Sequence, residues 1–139
     1  MKRTWLLCGL LLVLAFASVG HADTAMSGKA GRYTVDATFE KLPSSRGENT
    51  LVISIKDSAA RDVTDVAVSV RYYMTQRTTP TQKSVEMPYM GSEVAAQLHG
   101  STYKAQVNLS MAGGWHVDVK ITDGQGSSTA GLYVVVPGQ

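Results

Sequence analysis

The feature that most limits what this chain can fold into is a repeated period-two alternation of apolar residues from residue 23 on, with no stretch there that reads as a helix. Tyr33, Val35, Ala37 and Phe39 alternate with polar neighbours, and Leu51, Ile53 and Ile55 do the same. Val66, Val68, Val70, Tyr72 and Met74 share one phase, as do Tyr103, Ala105, Val107 and Leu109. Trp115, Val117, Val119 and Ile121 form another set, and Ala130 to Val136 closes the series. Successive side chains of an extended strand point to opposite faces, so each set lays one apolar face against a core. Val94 to Leu98 is a weaker strand of the same kind, and the segment from Thr75 to Met90, with Pro80 and Pro88, reads as mostly irregular.

Turn residues separate these runs. Pro43 and Gly47 interrupt the first and second, Asp57 to Asp62 the second and third, and Asp123-Gly124-Gln125-Gly126 the last two. About seven short strands at this spacing predict an all-β fold, an immunoglobulin-like antiparallel β-sandwich. The disulfide and core tryptophan pattern of antibody domains is absent, so the likeness is one of architecture.

The N-terminal segment has a different character. Lys2 and Arg3 precede an apolar run from Leu6 to Val19, and Gly20-His21-Ala22 places small residues where a signal peptidase cuts. Residues 1–22 are therefore expected to be a signal peptide and 23–139 one exported domain, periplasmic or secreted. The apolar run falls short of the roughly 20 residues a membrane span needs. No stable membrane insertion is expected after cleavage. Lys2 and Arg3 also account for the excess of 13 basic over 11 acidic residues, so the part from Asp23 on is formally neutral. A neutral domain lacks the basic stripe of a nucleic-acid binder. The single cysteine, Cys8, lies in the leader, which leaves the domain without disulfides or thiolate ligands.

Several pieces, taken in order, resemble the YtkA-like and FixH family of small exported domains. They are Gly31-x-Tyr33-x-Val35, Gly47-Glu48-Asn49-x-Leu51, Asp57, Ala67-x-Ser69-Val70, Met74, Met87-Pro88-Tyr89-Met90 and Tyr103. The set ends on Ser110-Met111-Ala112-Gly113-Gly114-Trp115-x-Val117-x-Val119. The resemblance implies an all-β domain outside the cytoplasm, associated with heavy-metal or copper efflux and with oxidase assembly. FixH proper is held by a membrane helix, whereas this leader reads as cleaved.

Methionine placement is the chemically suggestive feature. Met74, Met87, Met90 and Met111 fall at strand ends or in loops. Thioethers are soft ligands, and a cysteine-free envelope protein that handles Cu(I) has only Met and His to offer. Strands that simply alternate in direction bring all four to one end, with Trp115 and His116, and leave His99 at the other. The expected metal ligands are thus Met74, Met87, Met90, Met111 and His116, for a soft ion such as Cu(I). The expected partner is an envelope efflux or metal-delivery protein. Packing is the competing account, because Met74 and Met111 continue apolar phases and methionine often fills the irregular ends of a core. The alternative function is an interaction module that docks through residues 75–90 without metal.

Enzymatic chemistry is not expected. There is no serine or cysteine nucleophile motif and no paired carboxylate spacing, and the two histidines after the leader, His99 and His116, lie at opposite ends and cannot build a catalytic zinc site. Gly124-x-Gly126 is followed by no helix and reads as a hairpin turn, not a phosphate loop. Trp115 is expected in the core.

Overall fold

The structure is a computed structural model that describes residues 25–41, 46–76 and 85–138, with the backbone alone at 76 and 85–90. The expected signal peptide lies outside the described residues. Among the described residues nine strands follow one another: β1 (Met26–Ala30), β2 (Tyr33–Phe39), β3 (Gly47–Lys56), β4 (Ala67–Gln76) and β5 (Val85–Ala95). After them come β6 (Gln97–His99), β7 (Thr102–Leu109), β8 (Gly113–Asp123) and β9 (Gly126–Val136). They form two antiparallel sheets, one in the order β1-β2-β3-β7-β6 and the other β5-β4-β8-β9.

The alternation explains how the sheets pack. Val35, Ile53 and Val107 from the first sheet and Val70, Val117 and Val119 from the second have no exposed surface. They meet in a single buried cluster between the sheets. Burying each such side chain contributes roughly 1.5–3 kcal/mol before the entropy of ordering is subtracted. The all-β sandwich expected from the sequence is what forms.

Three differences from the expected strand list have physical causes. β1 lacks bulk, since its buried positions are Met26 and Ala30 with Gly28 between them, so its periodicity is faint in sequence. The weak strand expected at 94–98 is two pieces. β5 runs down the edge of the four-stranded sheet, the Ala96 N–H donates to the Val68 carbonyl at 2.9 Å, and β6 then joins β7 in the other sheet. Finally, the segment expected to be irregular between Thr75 and Met90 is strand at both ends, in β4 to Gln76 and in β5 from Val85. Pro88 is tolerated there because β5 is an edge strand, where a missing N–H need not break a ladder.

Strand direction defines two poles. The upper pole holds the ends of β2, β4, β7 and β9 and the starts of β3, β5 and β8. The lower pole holds the β1–β2, β3–β4, β6–β7 and β8–β9 connections. His99 lies at the lower pole, paired with Thr102.

Candidate functional site

The upper pole begins with a break in the β4–β5 ladder. Tyr73 pairs with Gly91 and Thr75 with Glu86, so Met74 alone faces the four residues from Met87 to Met90. The Met87-Pro88-Tyr89-Met90 motif is thus the bulged stretch of an edge strand. Bulges are common beside functional sites because they re-aim what a strand carries. By backbone placement, three methionines share this irregularity.

Met74 keeps the inward phase of Tyr72 and packs, partly buried, against the core. Its Cε sits where it would lie 3.0 Å from a Cβ added at Gly113. Gly113 has φ +125°, a conformation side-chain-bearing residues rarely adopt, so glycine both makes the turn into β8 and leaves room for this methyl. Met111 lies in the β7–β8 connection and is 41% exposed. The packing account therefore fits Met74 and does not fit Met111.

Trp115 ties these pieces together. It is 1% exposed, tilted 50° against Tyr72 at 6.1 Å, and its indole N–H donates to the Met111 carbonyl at 3.0 Å. A buried indole needs such a partner, and here the partner fixes the loop that carries Met111. The core residue expected from the alternation is also the anchor of the pole.

His116 reaches the same pole but on the outer face of the sheet, since it alternates with buried Trp115 and Val117. It stacks on Tyr73 at 5.1 Å, meets Tyr133 edge-on at 5.2 Å, and shares a hydrogen bond with the Thr75 hydroxyl at 3.3 Å through Nε2. Tyr73, His116 and Tyr133 are register partners across β4, β8 and β9. Met74 and His116 accordingly point to opposite faces of one sheet. The structure places Met74, Met111 and the backbone of Met87 and Met90 at one pole, with His116 on the outer face of the sheet whose inner face carries Met74.

Among the described residues no group of three or more His, Cys, Asp or Glu side chains could hold a metal ion. The thioethers of this pole are soft donors, suited to Cu(I) and poorly suited to zinc. Among the described residues no helix is long and apolar enough to cross a membrane.

Sequence reasoning missed the aromatic row. Each member stood in the outward phase of its strand, but only the register shows that they are neighbours. It also missed the polar construction of the lower pole. There Arg32 bridges to Asp123 at 3.0 Å, and the Tyr33 hydroxyl donates to the same carboxylate at 2.6 Å. The Tyr33 hydrogen bond, then that of the Gln125 N–H, then the nearby guanidinium hold the Asp123 carboxyl below its ordinary range. The Asp57 carboxylate accepts the Ala59 and Arg61 N–H groups and the Arg61 side chain. Those bonds, the Arg61 N–H foremost, hold it low as well.

Comparison with known proteins adds the following. No curated protein matches the chain. Among solved structures, the PmoD soluble domain from Methylocystis sp. (Rockwell) superposes with a TM-score of 0.49 at 17% identity, covering 85% of this chain and 100% of that one. The YtkA-like family profile matches residues 27–120, which takes in Met74, Met87, Met90, Met111 and His116. With so much of its sandwich inside the match, the chain belongs to the YtkA-like family.

Proposed function

We propose that this protein is an exported, periplasmic accessory of metal handling that binds Cu(I) through thioethers at the upper pole and passes it to an envelope efflux or metal-delivery partner. The observation that carries this reading is the bulge, where Met74 faces the whole Met87-to-Met90 stretch, at the same pole as the exposed Met111. Three further arguments support it. Cysteine is confined to the leader, so soft ligation in the domain falls to methionine. Pro88 fixes its own φ and biases Met87 toward extended backbone, which stiffens the spacing of two sulfur-bearing residues. An exposed Met111 on a loop tied down by Trp115 is a donor in a fixed place that does not have to leave the core.

Met87 and Met90 carry the largest share of affinity in this reading, Met74 and Met111 complete the site, and His116 contributes least because it faces the other side of the sheet. The test is a Cu(I) competition titration. Replacing Met87 and Met90 together by Leu keeps apolar volume and removes both sulfurs. The double variant should fold normally and lose Cu(I) affinity at least about tenfold, equivalent to roughly 1.4 kcal/mol. His116→Ala should stay within about threefold of the parent protein, roughly 0.7 kcal/mol. Equal Cu(I) binding by parent and double variant, or no measurable binding by either, defeats the metal reading. The function then passes to docking through the 75–90 segment.

A further inference from the structure

The outer face of the five-stranded sheet carries a row of side chains that nothing at the upper pole explains. Lys29 on β1, Thr34 on β2 and Lys56 on β3 are successive register partners. Strands lie about 4.8 Å apart, so the two lysines flank Thr34 with their backbones about 10 Å from each other. Cross-strand neighbours on one face normally offset charge, and like charges without an acid between them are unfavourable. Here the central position is a hydroxyl. The next carboxylate on this face, Asp36, accepts the Ser27 hydroxyl at 2.6 Å.

The row is the floor of a cleft of about 480 Å³. One wall is the β1–β2 turn with Gly31 and Arg32, and the other is the loop from Asp57 to Ala60. Three cations thus line it, Lys29, Arg32 and Lys56, against one carboxylate, Asp57. That carboxylate is already engaged, with Oδ1 accepting the Ala59 and Arg61 N–H groups and Oδ2 the Arg61 Nε–H. The acids that pair with two of the cations approach from outside the lining. Asp62 takes one donor from Lys56 at 2.7 Å, and Asp123 takes one from Arg32 at 3.0 Å. A lysine ammonium has three donors and a guanidinium five, so both retain free N–H groups. Ser58 adds a hydroxyl at the rim. A neighbouring cleft shares Arg32, Tyr33, Asp57 and Ser58 and adds Arg61 and Asp65, one charge of each sign, so the excess of cations is confined to the cleft above Thr34.

We propose that this cleft binds a phosphate group between Lys29 and Lys56 above Thr34, with Arg32 and Ser58 closing the rim. The ligand chemistry is a compact tetrahedral oxyanion that accepts from several donors at once, and a phosphate is held in this way by point charges and hydroxyls together. Two sources share this chemistry, free phosphate or its small monoesters and the headgroup of an anionic phospholipid. The site is independent of the Cu(I) reading, since it lies at the other pole and uses none of the methionines.

The test titrates the purified protein at low ionic strength with inorganic phosphate, with glycerol phosphate and with phosphatidylglycerol-containing vesicles. Nitrate and pure phosphatidylcholine vesicles serve as controls. Saturable binding is expected, weakening as salt screens the charges. Lys29→Gln with Lys56→Gln should reduce affinity at least about tenfold. Thr34→Asp supplies the missing acid between the lysines and should abolish binding while leaving the thermal midpoint unchanged or higher, which separates loss of the site from loss of the fold. Binding of the soluble probes assigns free phosphate as the ligand, and binding of vesicles alone assigns the lipid headgroup. The proposal is overturned if no probe binds, if nitrate binds as well as phosphate, or if both variants bind like the parent protein.

Discussion

The two poles of the sandwich are closed by different physics. At the upper pole Trp115, Leu109 and Val136 are almost wholly buried, and one indole hydrogen bond ties the loop that carries Met111. At the lower pole the connections are held by charge and by local turns: Arg32 with Asp123, Lys56 with Asp62 and Arg61 with Asp57. The fourth described ion pair, Lys104 with Glu40, lies on the outer face of the five-stranded sheet, with Glu40 just past the upper end of β2. An apolar end is held by packing, whereas an end built from carboxylates and cations responds to pH and to anions. The contrast predicts that core substitutions disturb the upper pole most, while acid acts mainly on the lower pole.

The largest effect should come from Trp115→Ala. The side chain fills the top of the core against Tyr72 and donates its only N–H to the Met111 carbonyl. Truncating a buried aromatic leaves a cavity and typically costs about 3–5 kcal/mol. Urea unfolding measures this. A loss under about 1 kcal/mol, the scale of a surface change, would mean that packing does not close the upper pole.

A smaller cost is expected from Gly31→Ala at the lower pole. Gly31 turns β1 into β2 at φ +58°, and an added Cβ would lie 2.6 Å from the Ser128 hydroxyl oxygen. The left-handed conformation costs a side-chain-bearing residue about 1–2 kcal/mol, and displacement of Ser128 adds to that. Adding Ser128→Ala should recover the contact part and leave the backbone part. If the double variant regains full stability, backbone conformation at this turn is not what limits it.

How much of this was legible in sequence follows the same division. The inward faces were readable because period-two alternation has only one structural meaning, and Val35, Ile53, Val107, Trp115 and Val117 are all buried as their phase requires. Strand direction could be counted, so Met74, Met87, Met90 and Met111 were expected at one end and His99 at the other. The count survived one unexpected strand and one that splits in two, because β1 precedes the series and β6 continues the downward course of β5. Register could not be counted. Nothing in the spacing of residues 73, 116 and 133, or of 29, 34 and 56, shows that they are neighbours, since cross-strand rows depend on turn geometry and bulges. The bulge itself was hidden for the same reason. A proline-containing segment looks irregular in sequence, and only pairing on both sides of it reveals an edge strand.

The smallest and most selective effect concerns acid. Asp123 and Asp57 both titrate below the ordinary carboxylate value, the first chiefly through the Tyr33 hydroxyl and the second chiefly through the Arg61 N–H. A carboxyl whose folded-state pKa is depressed contributes stability that is complete above its unfolded value, about 3.9 for Asp. That contribution disappears as pH falls through the lower, folded value. Stability should therefore be flat from neutral pH down to about 5 and then decline, with the decline continuing below 3.9. Asp123→Asn keeps the shape of the side chain but cannot lose a charge that Arg32 and Tyr33 require, so it should be less stable at neutral pH and lose less on acidification. Glu40 is held low by Lys104 on the sheet face, and the Asp123 variant should retain that part of the acid response. The measurement is the urea midpoint of parent and variant between pH 7 and 2. Parallel curves would mean that Asp123 does not couple the lower pole to pH, and that charge closes this end no more than packing does.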